Sequence, residues 1–126
     1  MKEMLTGIQH VGIPTEHMDQ TREFYKKLGF EVAFEAVNEG AEVVFFKLGN
    51  LVMETYEVPE AAKVYGAIEH VAVNVTDIAK VYEKIKELQL NTLDDEIHFL
   101  PFWENGVRFF TIEGPNKEKI EFSQFL

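Results

Sequence analysis

The chain has no cysteine among its 126 residues. Disulfides, thiolate metal sites and a cysteine nucleophile are therefore excluded. Basic residues are scarce, with 12 Lys and Arg against 22 Asp and Glu and a formal net charge of −10. Phosphate backbones reward Lys and Arg, so neither nucleic acid nor an anionic membrane is an expected partner. The acidity serves solubility. No apolar run approaches the roughly 20 residues that span a bilayer. The opening MKEMLTGIQH has no apolar stretch of a secretory leader, so a cytoplasmic address is expected. There is no low-complexity segment and no long charge block, which argues against disorder.

What is present reads as one soluble globular domain, with 46% hydrophobic and 27% charged residues, long enough to bury a core without staples. The sequence also repeats itself. IQHVGIPTEHMDQTREFYKKLGFEV (8–32) and IEHVAVNVTDIAKVYEKIKELQLNT (68–92) both begin I-x-H-V. Each passes through a polar turn into an amphipathic helix carrying Tyr25 or Tyr82. Asp77 is the natural N-cap of the second helix, with Ile78, Val81, Tyr82, Ile85 and Leu88 at helical spacing. In the first, Met18, Tyr25 and Leu28 line one face, Gly29 stands at the C′ position, and His17 caps the start or faces water. Strand-like runs follow each helix: FEVAFEAV, AEVVFFKL and NLVMETYEV in the first half, LNTLDDEI, VRFFTIE and KIEFSQF in the second. The expected organisation is α+β, with βαβββ modules at 7–57 and 67–126 joined by a linker at 58–66. The two modules are expected to form a cup-shaped mixed sheet with helices outside.

Side chains alternate faces along a strand. Val71, Val73 and Val75 have the bulk to lie beneath a helix, which turns His70 to the opposite face, and Val11 and Ile13 do the same for His10. By the same parity Glu54 lies opposite Leu51 and Met53, and Glu121 opposite Ile120 and Phe122. Each half thus carries a His on its first strand and a Glu on its last. Taken singly, a strand His is more often a satisfied structural residue and a strand Glu a solvated one. The matched placement of His10, Glu54, His70 and Glu121 is what points to a divalent ion such as Zn²⁺, Ni²⁺, Co²⁺ or Mn²⁺.

On IQHVGI, TREFYKKLGFEV, LGNLVMETYE, IEHVAVNV and FFTIEGPNKEKIEF the chain resembles the vicinal oxygen chelate superfamily over nearly its whole length. That superfamily includes glyoxalase I, methylmalonyl-CoA epimerase, extradiol dioxygenases, and fosfomycin and bleomycin resistance proteins. His10, Glu54, His70 and Glu121 match the metal ligands of glyoxalase I (lactoylglutathione lyase). The resemblance implies a metal-dependent lyase or isomerase holding one Ni²⁺, Zn²⁺ or Co²⁺ per site. It would move a proton next to a carbonyl through a metal-chelated enediolate. By resemblance Glu121 ranks ahead of Glu54 as the base. The alternatives are an epimerase of an acyl thioester, whose resembling members have Gln at the position of Glu54, and a small-molecule binding or resistance protein without turnover. Resembling proteins often form homodimers, and some build each site from modules of two subunits; either arrangement is open here.

Glutathione-dependent members resembling this chain carry Arg where Pro14 stands, so glutathione is not the expected cosubstrate of the small-molecule site. The segment DDEIHFLPFWENGVRFF (94–110) is the most individual part of the chain. Phe99, Phe102 and Trp103 either wall the cup over an apolar substrate group or plug the end of the sheet. Arg108, with Lys47, is the nearest basic candidate for substrate contact, and the competing reading for both is a solvated strand residue. Tyr56, on the same parity as Glu54, either binds substrate or packs. His98 is either a catalytic or supporting group or a surface residue among acids.

Overall fold

A computed structural model describes residues 2–4, 6–66 and 68–126. The chain divides into two compact units, Met1–Ala62 and Lys63–Leu126. In the first, β1 (Val11–Thr15) leads to helix α1 (Met18–Lys27), followed by β2 (Glu31–Asn38), β3 (Ala41–Leu48) and β4 (Leu51–Glu57). In the second, β5 (His70–Asn74) leads to α2 (Ile78–Glu87), then β6 (His98–Leu100), β7 (Val107–Glu113) and β8 (Lys119–Phe125). The sheet orders are β1-β4-β3-β2 and β5-β8-β7-β6. In each sheet the first strand runs parallel to the last, and the remaining pairs are antiparallel. Each unit is therefore a βαβββ module with a mixed four-stranded sheet, as the repeat implies. No helix among the described residues is long and apolar enough to cross a membrane.

The helices form where the sequence signals them. The Asp77 side chain accepts the Lys80 N–H at 3.1 Å and closes the first turn of α2. His17 is the N-cap of α1 but gives no side-chain cap; its own N–H donates to Thr15 Oγ1 at 3.0 Å instead. Gly29, with φ of 94°, takes the left-handed conformation that ends α1 after Leu28.

Both cores lie between a helix and one sheet face. In the first unit Tyr25 is fully buried, stacks on Phe46 at 5.2 Å and meets Phe30 edge-on at 5.1 Å. Met18, Val44 and Met53 complete this layer, and the buried Thr55 hydroxyl donates to Val44 O at 3.0 Å. In the second unit Phe110, Ile112 and Ile120 are buried beneath Ile78 and Ile85 of α2, with Tyr82 edge-on to Phe110 at 5.1 Å.

Two local features depart from simple alternation. The β2–β3 register shifts between Val32 and Phe34. Val32 consequently lies opposite Phe46, whereas Phe34 lies opposite Phe45 on the other face. The LNTLDDEI run is not a strand. Asn91 and Asp95 tie it into a turn: Asp95 N–H donates to Asn91 Oδ1, and Asn91 Nδ2 to Asp95 O, both at 3.1 Å. Tyr82 OH adds a bond to the same carbonyl at 3.0 Å. Short polar side chains have captured the backbone groups that a ladder needs. The strand in this place is the three-residue β6.

Truncating a fully buried ring removes both transfer energy and close packing. Phe110→Ala is therefore expected to destabilise the protein by about 3–5 kcal/mol. Urea unfolding measures this, and a loss below about 1 kcal/mol would remove Phe110 from the core.

Candidate functional site

The parallel pairing of first and last strands assembles the same pair of side chains in each unit. Gly12 lies opposite Glu54 in the β1–β4 register, and Ala72 lies opposite Glu121 in the β5–β8 register. Each His stands two residues before the small residue, on the same face, and so reaches the Glu diagonally. His10 Nε2 lies 3.8 Å from Glu54 Oε2. His70 Nε2 lies 3.5 Å from Glu121 Oε2. Gly12 and Ala72, the smallest side chains available, leave this diagonal open.

The outer ring nitrogens are also held alike. His10 Nδ1 is 3.0 Å from Gln9 Oε1, and His70 Nδ1 makes a close contact with Glu69 Oε2. Lys119, opposite His70 in the register, reaches Glu69 Oε1 at 2.9 Å and sits 4.1 Å above the Tyr65 ring. Glu121 is the better shielded of the two carboxylates, with 18% of its side chain exposed against 26% for Glu54. Burial pushes the Glu121 carboxyl above the usual carboxylate range; nearby His70 opposes this and the Glu69 charge reinforces it.

The surroundings differ between units. Phe45, opposite Glu54 on β3, meets His10 edge-on at 5.6 Å, and Phe34 lies 6.1 Å beyond it. Tyr56 shares the face of Glu54, as its parity requires. In the second unit the corresponding position opposite Glu121 is Thr111. His98, opposite Phe109, falls on the Glu121 face, and its Nε2 is 2.7 Å from Asp95 Oδ1. Asp95 Oδ2 also accepts the Thr111 N–H at 2.8 Å.

Phe99 and Arg108 pair with each other on the opposite face, in the row of Gln124. Gln124 Oε1 accepts the N–H of Ile78 at the start of α2, which marks this as the helix side of the sheet. The Phe99 ring closes over Gly106, where any Cβ would come within 2.4 Å of it. Phe102 and Trp103 lie in the turn before β7, both exposed, with Trp103 edge-on to Phe125 at 5.6 Å. The structure thus does not bring Phe99, Phe102, Trp103 and Arg108 together as one lining. Sequence reasoning does not single out Phe45 beside His10 or Phe34 beside Phe45. The alternation of Val44 and Phe46 around Phe45 signalled its face; the bulge hid that of Phe34.

Among the described residues, no group of three or more His, Asp or Glu gathers as a metal site. The four candidate ligands form two His–Glu pairs, one in each unit.

Residues 7–122 match the family model described as the Glyoxalase/Bleomycin resistance protein/Dioxygenase superfamily. The chain belongs to this superfamily. The uncharacterized protein YwbC of Bacillus subtilis (strain 168) is a relative, 32% identical over 96% of this chain and 99% of its own length. Among solved structures, the glyoxalase family protein of Enterococcus faecalis superposes with a TM-score of 0.74 at 22% identity, over 95% of this chain and 98% of that one. The fosfomycin resistance protein FosX of Listeria monocytogenes, complexed with Mn(II) and sulfate, superposes with a TM-score of 0.73 at 15% identity, over 98% of this chain and 95% of that one. At these identities, both structures speak to the superfamily's fold.

The raised Glu121 carboxyl is open to direct measurement. Side-chain ¹³C titration of the metal-free protein should place its midpoint above the usual glutamate value of about 4.3. Removing the opposing imidazole with His70→Ala should raise it further. A midpoint at or below the usual value would show that burial does not control this group.

Proposed function

We propose that the protein is a metal-dependent lyase or isomerase of glyoxalase I type, moving a proton between adjacent carbons beside a carbonyl. The observation that carries this reading is the duplicated His–Glu diagonal, built by the same strand register in both units. Each His–Glu pair offers two donors of the kind a divalent ion takes. Two donors each about 2.1 Å from one ion, at roughly tetrahedral or right angles, stand about 3.0–3.4 Å apart. The observed 3.8 and 3.5 Å separations need only a few tenths of an ångström of closure. His10, Glu54, His70 and Glu121 would together hold one ion, the two halves coming from one chain or from two copies in a homodimer.

Ni²⁺, Zn²⁺ and Co²⁺ suit imidazole and carboxylate donors, and the Mn(II) of FosX extends the range to test. When bound, the ion supplies electrostatic stabilisation of the negative charge that develops on neighbouring substrate oxygens. The remaining work falls to side chains. Glu121, the better shielded of the two carboxylates, is assigned to take a proton from one carbon and return it to the next. Glu54, less shielded, serves as ligand. Phe45 and Phe34 give an apolar wall beside His10, and the Tyr56 hydroxyl shares the face of Glu54. Pro14 stands where resembling glutathione-dependent enzymes have Arg, which supports a hydroxycarbonyl or a different thiol adduct as substrate.

Metal content after chelator-free purification, followed by turnover of methylglyoxal–thiol hemithioacetals, acyl thioesters and hydroxycarbonyls in parallel, tests the reading. Bound metal and proton exchange next to a carbonyl are expected. His10→Ala and Glu121→Gln should each lower kcat/KM by at least about 10²-fold with the fold intact. Racemisation of acyl thioesters alone would favour the epimerase. A chain that refuses Ni²⁺, Zn²⁺, Co²⁺ and Mn²⁺ would leave only binding without turnover.

A further inference from the structure

Each candidate histidine is preceded by a residue that holds its outer nitrogen, and the repetition is independent of how the two units are arranged. An imidazole can ligate only through the nitrogen that lacks a proton, and the hydrogen bond at the other nitrogen selects which one that is. A neutral histidine side chain free in water favours the proton on Nε2, which would turn an N–H toward Glu54 or Glu121. Here both Nδ1 atoms face oxygen acceptors: Gln9 Oε1 at 3.0 Å, and Glu69 Oε2 in close contact. A carboxylate oxygen only accepts, so the proton belongs on Nδ1 of His70, and the amide oxygen of Gln9 imposes the same on His10. A neutral ring protonated at Nδ1 turns an unprotonated Nε2 toward Glu54 or Glu121.

Neighbouring residues in a regular strand project to opposite faces. Gln9 and Glu69 can reach back to the next ring because both lie before their strands, which begin at Val11 and His70. The Glu69 carboxylate is itself fixed. Its second oxygen takes Lys119 Nζ at 2.9 Å, and that ammonium rests 4.1 Å over the Tyr65 ring.

We propose that Gln9 and Glu69 are positioning residues, each fixing the Nδ1–H tautomer of the histidine that follows it so that Nε2 is free to bind the ion. This rests on the metal reading given above. Glu69 also makes the two halves unequal. A carboxylate partner raises the donor strength of its imidazole more than an amide does, so His70 is the stronger ligand.

Long-range ¹H–¹⁵N correlation spectra of the metal-free protein at about pH 8, above the ordinary histidine range, read the tautomers without any ion. Nδ1–H is expected at His10 and His70 in the wild type. Glu69→Ala should move His70 to Nε2–H and weaken Ni²⁺ binding about 10–100-fold in competition with a chromogenic chelator. Glu69→Gln, which keeps an acceptor oxygen, should restore the tautomer and most of the affinity. Gln9→Ala should do the same to His10 with a smaller loss. Nε2–H at both rings in the wild type, or an unchanged His70 tautomer in Glu69→Ala, would overturn the assignment. If the wild type binds no Ni²⁺, the enzyme reading falls, and the tautomers alone judge the positioning. Loss of Nδ1–H in Glu69→Ala still supports it, and no change still overturns it.

Discussion

The parallel pairing of first strand with last is the constraint on which the rest depends. A parallel pair cannot be closed by a tight turn, and each unit crosses over through a helix and two more strands before its final strand returns. That crossover supplies the apolar layer of Tyr25 and Phe46, or of Phe110 and Ile112, and seals one sheet face. The other face carries the His–Glu pairs. Register then does the rest, because Gly12 opposite Glu54 and Ala72 opposite Glu121 place each preceding His within a diagonal of its carboxylate. A slip of one residue would send either Glu to the helix side.

The repeat accounts for the matched halves, and their surroundings differ. Around His10 and Glu54 the face is aromatic, with Phe45 and Phe34 in edge-on and tilted contact. Around His70 and Glu121 it is polar, with Lys119, Glu69, Thr111 and the His98–Asp95 pair. Burial raises the Glu121 carboxyl above the usual carboxylate range. The two pairs thus sit in unlike surroundings, one aromatic and one polar.

Much of this was legible in the chain itself. The I-x-H-V repeat, the Asp77 cap and period-two alternation suffice for two βαβββ modules and for the face of each candidate ligand. Alternation fails where something interrupts the ladder. At Ala33 a bulge moves Phe34 onto the ligand face, and no single residue in EVAFEAVN announces it. Between Asn91 and Asp95 side chains compete successfully for the backbone, so the run LNTLDDEI closes as a turn rather than a strand. Phe99 and Arg108 lie on the helix side because the partner rows are set by β7 and β8, and composition alone does not reveal pairing. Gln9 and Glu69 draw attention only when both histidine rings are oriented.

X-ray absorption spectroscopy of the Co(II)-loaded protein tests most directly whether two half-sites serve one ion. Two imidazole ligands on a single cobalt are expected, with one lost in His10→Ala and the other in His70→Ala. A single imidazole in the wild type, or a first shell that one of these substitutions leaves unchanged, would contradict a shared site.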